Sequence, residues 1–564
     1  MEPAKRAKND SPAAMEEVQP VLDRGLWTRD ACIVGLTLAW GAAVTTVTIA
    51  IYIMATGPLT IPPWLAYRTA LVGPVGLSWL DLGDVYMVDH RVYGMSDAAM
   101  AVIPLLLQFA IASLSLALDS IHSTSLRWAL WHEGRLRHNT NLRLFTFSRN
   151  HGPNAWPANV VSSLGLVLSY GAASMTTFPV TVTAALEYKD VDGSRTRVQN
   201  FDADLGPDRF GISFNAWGLL GLGVGLLLQS AICTWCLVHD ANKHIVGTWN
   251  SNPLATARAT QRLLHGTEVE PNSNRRNLTL SKATPKQPSM RVTAPVTRTI
   301  ANWIWVIFAL QGLFTIVVTV VASVRGKTSL DIVYDMENNT NFLAVWKFFG
   351  ILMVRYNRRY KQYHSEWAGL LIQSSFLSIL LFGLHLADVL AGLARDEAIW
   401  RRATTTGASP ESNSFLDGLR SWPTCLVFVF KGVLPWIFSF GVTCIIHVFL
   451  AILPLLTVSL LLLALASCAE YIIRSQPKGT QPATYGDVKA LVALIDDWGG
   501  ESNSAIFWGE KGQYEYVEGV HVRLAGTSGR RLADLEPGVM YAGLFDAAET
   551  PSSVEANQEN ELVR

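Results

Sequence analysis

Eight stretches of about 20 or more residues run nearly free of charge, at 31–55, 99–119, 160–185, 213–239, 300–324, 369–393, 424–446 and 449–473. That length matches the hydrocarbon core of a bilayer, and in lipid a helix is the simplest element that satisfies its own backbone groups. The expected fold is an all-α polytopic membrane helix bundle of about eight transmembrane helices over residues 31–473. Composition agrees: 50% of the residues are hydrophobic and 16% charged, against about 25% charged in soluble domains. The seventh run carries Lys431 and Pro435 and is parted from the eighth by little more than His447 and Val448. A half-helix or an interfacial helix there would leave seven spans.

The first 25 residues are polar and charged, without the short apolar core and small-residue cleavage site of a leader. The first span is therefore expected as an uncleaved anchor. With the N-terminus in the cytosol, inner segments hold 31 of the 45 Lys and Arg and outer segments 13. The positive-inside rule then puts both termini in the cytosol, in either the plasma membrane or a membrane of the secretory pathway. Arg355, Arg358, Arg359 and Lys361 run against the bias, which suits a re-entrant or interfacial helix near 341–361. Asn338-Asn339-Thr340 is a glycosylation acceptor in an outer loop, whereas Asn277-Leu278-Thr279 falls inside and is expected to stay unmodified. All six cysteines lie in or beside apolar spans, so no extracellular disulfide framework is expected.

Three spans carry a related polar pattern. Gln108 leads to Asp119 and His122, Gln229 to His239, Asp240 and His244, and Gln373 to His385 and Asp388. The Asp/His partners are spaced i,i+3 or i,i+4 and share a helix face. Polar groups are costly in a span and face the bundle interior or a water-filled cavity. The glutamines are expected near mid-membrane, with the Asp/His pairs at a common cytosolic chamber able to bind a metal ion or pass protons. Solvated or capping groups at helix ends are the plainer reading. Cys233-x-x-Cys236 and the glycines Gly218, Gly221, Gly223 and Gly225 lie in an apolar run and read as close helix packing.

Outside the spans, residues 1–30 and 547–564 read as polar tails and 265–298 as a disordered cytosolic linker. The 120–150 loop is basic, with Arg127, Arg135, Arg137, Arg143 and Arg149 against Glu133, and suits contact with anionic lipid. Residues 476–546 read as a small cytosolic α+β module docked on the membrane part, since about seventy residues fold alone only marginally. Its expected parts are a helix from Thr484 to Trp498 with Val488, Leu491, Val492 and Ile495 on one face, and strands at Ala505–Trp508, Tyr514–Val517, Val520–Leu524 and Met540–Leu544. Gly526-Thr527-Ser528-Gly529 is expected as a turn between strands.

Several short motifs carry a resemblance. Thr484-Tyr485-Gly486-Asp487-Val488, Leu494-Ile495-Asp496-Asp497-Trp498, Phe507-Trp508-Gly509-Glu510-Lys511 and Ala525-Gly526-Thr527-Ser528-Gly529 resemble the tail of an uncharacterised family of multi-pass membrane proteins of filamentous fungi. Gly383-Leu384-His385-Leu386-Ala387-Asp388, running to Arg395-Asp396-Glu397, is similar to another stretch of it. The resemblance covers roughly residues 300–546 and implies an integral membrane protein with no known activity.

No nucleophile elbow, phosphate-binding loop, zincin pair, kinase set or dinucleotide fingerprint occurs in the sequence. The leading expectation is a non-enzymatic membrane sensor or scaffold. A transporter with a polar pathway along spans two, four and six comes next, and a metal-dependent membrane hydrolase third. No cofactor and no nucleic-acid partner are expected; the bilayer is the expected partner.

Overall fold

The computed structural model describes residues 26–56, 90–94, 97–140, 146–182, 187–191, 194–198, 209–265, 280–324, 351–354, 365–444, 448–499, 505–515 and 521–544. Among these, eight helices are long and apolar enough to cross a membrane. The first four are α1 (Leu26–Thr56), α2 (Asp97–His132), α3 (Trp156–Thr176) and α4 (Ala216–Lys243). Two short helices follow, α5 (Pro253–His265) and α6 (Met290–Thr293). The fifth and sixth long helices are α7 (Val296–Val324) and α8 (Ser365–Arg401). After the short α9 (Ser414–Arg420) come α10 (Trp422–Gly441) and α11 (Ile452–Arg474), and α12 (Val488–Leu494) belongs to the C-terminal module. The seventh run is thus a full helix of 20 residues, about 30 Å at 1.5 Å per residue. It continues through Pro435, and it is one of eight candidate spans among the described residues.

Two spans end earlier than their apolar runs. Helix α3 stops at Thr176, where Pro179 and the β-branched Thr177, Val180, Thr181 and Val182 continue as a strand. Helix α10 stops at Gly441 and residues 442–444 are extended. These extended pieces lie at one end of the bundle, the far end. There β1 (His90–Gly94), β2 (Thr177–Val182) and β5 (Arg209–Asn215) form one sheet, beside a hairpin of β3 (Glu187–Val191) and β4 (Ser194–Val198). The other end carries the C-terminal module.

Small residues set the helix crossings, as the sequence pattern requires. A methyl group on Gly225 would meet the carbonyl oxygen of Gly165 at 2.8 Å, so α3 and α4 touch backbone to backbone. Gly218 faces the backbone of Met175, Gly221 faces Ala172 and Leu370, and Gly223 faces Ala43 of α1. Cys233 and Cys236 are buried in the same helix. The main apolar core runs through α3, α4, α7, α8, α10 and α11.

The module corrects several expectations. Strand β6 (Leu280–Lys282) precedes β7 (Ile351–Val354), β8 (Val442–Cys444) and β9 (Val448–Ala451) in the chain, yet it completes the C-terminal sheet. That sheet has the order β10 (Phe507–Glu515), β11 (His521–Ser528), β12 (Met540–Ala542), β6. Residues 280–298, expected as disordered linker, are therefore built into the fold, with Tyr541 opposite Ser281 and the Ala283 and Gln287 side chains buried. Their few apolar groups matter less than backbone pairing, which polarity does not reveal. The expected helix at 484–498 shortens to Val488–Leu494, because Asp487 caps it at one end and residues 495–498 turn away at the other. Two expected strands merge into β10, the Gly-Glu-Lys-Gly segment being a bulge at Glu510/Gly512. Gly526–Ser528 lie within β11, not in a turn.

The module has no private core. Trp508, Leu491, Ile506 and Tyr541 are buried together with Ile399 and Trp400 of α8 and Leu254 of α5. The Trp400 and Trp508 rings meet edge to face with centroids 5.7 Å apart. Asn338, the cluster at 355–361 and the two polar tails lie outside the described residues, save residues 26–30 of the first tail, which begin α1.

Candidate functional site

Gln108, Gln229 and His122 are all buried and all turn toward α3. Gln108 Nε2 donates to Ser174 Oγ at 3.3 Å, Gln229 Nε2 to Ser169 Oγ at 3.0 Å, and His122 Nδ1 lies 3.3 Å from Ser162 Oγ. Gln373 Nε2 instead donates to the carbonyl of Val442 at 2.8 Å. Ser174 is two residues from the end of α3, and Val442 directly follows α10. Gln108 and Gln373 therefore sit toward the far end of the bundle, while Gln229 lies deeper in it. Helices α2 and α8 have 36 and 37 residues, some 55 Å, and overrun a hydrocarbon core of about 30 Å.

The remaining candidates are spread over separate neighbours. His239 Nε2 lies 3.4 Å from Nδ1 of His151, whose ring in turn sits 6.0 Å from that of His132. Burial, with the charges of His132 and His239, pushes the His151 imidazole below its ordinary pKa, Glu133 opposing. Asp240 accepts from the Val246 amide at 2.8 Å, and His244 takes the left-handed position that ends α4, exposed to solvent. Asp119 and His385 are half-buried, each engaged with a neighbour. Among the described residues, no group of three or more His, Cys, Asp or Glu is placed to hold a metal ion.

Asp388 makes an ion pair inside the helix bundle. Lys431 Nζ reaches its Oδ2 at 3.0 Å, both side chains being less than a third exposed. Lys431 stands nine residues into α10, about 14 Å along the helix, so the pair sits near mid-span. Ionised groups at that depth are rare and pair with one another.

The densest polar site lies where α8 runs out of the bundle. Asp396 and Glu397 are fully buried neighbours, and each ties down a different segment. Asp396 Oδ2 accepts from Asn139 Nδ2 at 3.0 Å and Thr140 Oγ1 at 3.1 Å, and Arg395 reaches Oδ1 at 3.2 Å. Asn139 Oδ1 accepts from Thr256, which in turn accepts from the buried Arg127 at 3.2 Å. Glu397 Oε1 accepts from Gln287 at 2.9 Å. Its Oε2 accepts the amides of Thr484 at 2.8 Å and Tyr485 at 2.7 Å, and the Thr484 hydroxyl at 3.2 Å. Gly486, at φ +75°, lets the chain pass against Asp396; a Cβ there would stand 2.8 Å from Oδ2. Burial and the nearby Glu397 carboxyl hold the Tyr485 phenol above its ordinary pKa, and its hydroxyl donates to the Pro288 carbonyl at 3.1 Å.

The other quoted motifs knit the module itself. Asp496 accepts from Lys511 Nζ at 2.8 Å and from the Thr527 amide at 2.8 Å, while the Thr527 hydroxyl accepts the amides of Asp496 and Asp497. Burial opposes ionisation of Asp496, but Lys511 and Thr527 outweigh it and hold its pKa below the ordinary value. The chemistry of this region is that of a fastening: carboxylates met by amides and hydroxyls of the protein.

Sequence reasoning singled out Arg395-Asp396-Glu397 and Thr484–Val488 only as resembling a family. Their adjacency to carboxylate-hungry amides was invisible, since the two segments are 87 residues apart. The serines of α3 were missed as well, although small polar residues recur in that apolar run. Comparison with protein-family models, with curated proteins and with solved structures finds no match for the chain.

Proposed function

We propose that this chain is a multi-pass integral membrane protein acting as a non-enzymatic sensor or scaffold, its C-terminal module clamped to the cytosolic ends of the helices. The observation that carries the reading is the Asp396–Glu397 clamp, which joins α8 to the 133–140 loop, the 283–289 segment and the tail in one buried network. A helix shift at α8 would be felt directly by the module, because a buried carboxylate that loses its donors is strongly destabilised. The excess of Lys and Arg on the module's side supports a cytosolic placement. Membership of the fungal membrane-protein family belongs to the same proposal and rests on the quoted motifs.

Limited proteolysis of the full chain in detergent tests the clamp. Glu397→Ala should raise cleavage at Lys478 and Lys489 at least tenfold while the helix content stays unchanged. An equally protected tail would overturn the clamp reading. A second reading, solute or ion transport, is favoured by the Asp388–Lys431 pair. Flux across reconstituted vesicles that Asp388→Asn abolishes would put transport in first place.

A further inference from the structure

Helix α9 is amphipathic in the inverted sense. Its charged residue Asp417 is 2% exposed, whereas Phe415, Leu416 and Leu419 are 63%, 47% and 58% exposed. Positions 415, 416 and 419 fall on one helical face, and Asp417 lies opposite. Asp417 points into the protein, where Arg402 Nη1 reaches Oδ1 at 2.5 Å and the Ser412 hydroxyl donates to Oδ2. The outward face is apolar, with Arg420 at its rim.

Continuity says what covers that face. Only Ser421 separates α9 from α10, which opens on Trp422, 52% exposed and in ring contact with the exposed Tyr471 of α11. Two exposed aromatic residues at neighbouring helix ends mark the level of the membrane–water interface. The apolar face of α9 is thus continuous with the lipid-facing surface of the spans. A second protein copy suits it poorly, because seven residues make a helix about 10 Å long, too small for the roughly 800 Å² per partner of a standard interface.

We infer that α9 lies in the headgroup–acyl boundary of the cytosolic leaflet, with Phe415, Leu416 and Leu419 inserted, and links lipid packing to the C-terminal module. The link runs through the segment between α8 and α9. Arg402, which holds Asp417, begins a turn whose Ala408 pairs by both backbone groups with Ile506, at 3.0 and 2.8 Å, just before β10. Asn250 and Asn252 fasten the same segment at Pro410, Ser412 and Ser409. This inference rests on the membrane and clamped-module reading above and names the partner of that assembly.

The test uses the full chain with Leu416→Cys, Cys425→Ala and Cys468→Ala, labelled with a small environment-sensitive fluorophore and reconstituted into phosphatidylcholine vesicles. Nitroxide lipids labelled near the headgroup should quench it more than lipids labelled deep in the acyl chain, and aqueous iodide should quench it weakly. Lys489→Cys in the same background, on the module surface, should give the reverse. Phe415→Cys reports on the same face should the first variant fold poorly. In a second measurement, Leu419→Ser should speed hydrogen exchange at 506–508 at least fivefold in vesicles. Strong iodide quenching, or quenching by neither agent that reverses on dilution of the protein in lipid, would overturn insertion in favour of water or a second copy. Unchanged exchange at 506–508 would overturn the link. Failure of the chain to float with vesicles would instead strike the membrane reading itself.

Discussion

Lys431 and Asp388 show what one pair can do where water is scarce. Taking either charge away removes the nearest compensation of its desolvated partner, whereas removing both leaves neither charge to compensate. Lys431→Met or Asp388→Asn alone should each destabilise the detergent-solubilised chain by about 3 kcal/mol, and the double variant should recover most of that loss. Thermal unfolding of the three variants measures it, and additive losses would show that the pair is not coupled. His151 gives a pH effect of definite sign. Its folded pKa is depressed by burial and by the charges of His132 and His239, so the unfolded segment binds the proton more readily. The stabilisation is present above the ordinary histidine value and lost as pH falls through it toward the lower folded value. Hydrogen exchange in 146–155, corrected for intrinsic rate, should therefore speed up from pH about 7.5 to about 5.5, and His151→Gln should flatten the response.

Elements in this chain are held less by their own propensity than by what crosses them. Helices α3 and α4 meet at Gly165 and Gly225, where no side chain fits between the backbones. Gly225→Ala should cost about 2 kcal/mol through overpacking, measured by thermal unfolding, whereas Gly312→Ala, with open space around it, should be neutral or slightly stabilising. The C-terminal sheet is the second case. Residues 476–546 expressed alone lack β6, Trp400 and the carboxylates of α8, and bury little apolar surface of their own. Expressed without the rest, they should show no cooperative unfolding transition by circular dichroism; a sharp one would contradict the shared core.

At the scale of the molecule, one end of the bundle gathers the segments that the module touches, among them the 133–140 loop, α5, residues 280–289, the α8 end and the 402–413 segment. Eight crossings, one for each long apolar helix among the described residues, would return the C-terminus to the side on which the first began. With that side cytosolic, glycosylation mapping should find Asn338 modified and Asn277 not. Modification of Asn277 would invert the whole arrangement.

The eight long apolar helices were legible in the sequence because the length of an apolar run is a local property. The glycine packing of α4 was legible for a similar reason: small residues in an apolar helix have little other use. Depth and partnership were not. Gln108 and Gln373 looked like equivalents of Gln229 until Ser174 and Val442 took them at one end of the bundle, and the three Asp/His ends looked alike until Lys431, His151 and Val246 took different ones. The polarity of 280–298 argued for disorder, and only pairing with Met540–Ala542 across some 260 residues of chain made Leu280–Lys282 a strand. The Asp396–Glu397 clamp belongs to the same class. Its strength lies in donors brought from residues 139, 287, 484 and 485, and hydrogen bonds between segments so distant exist only once the chain has closed on itself.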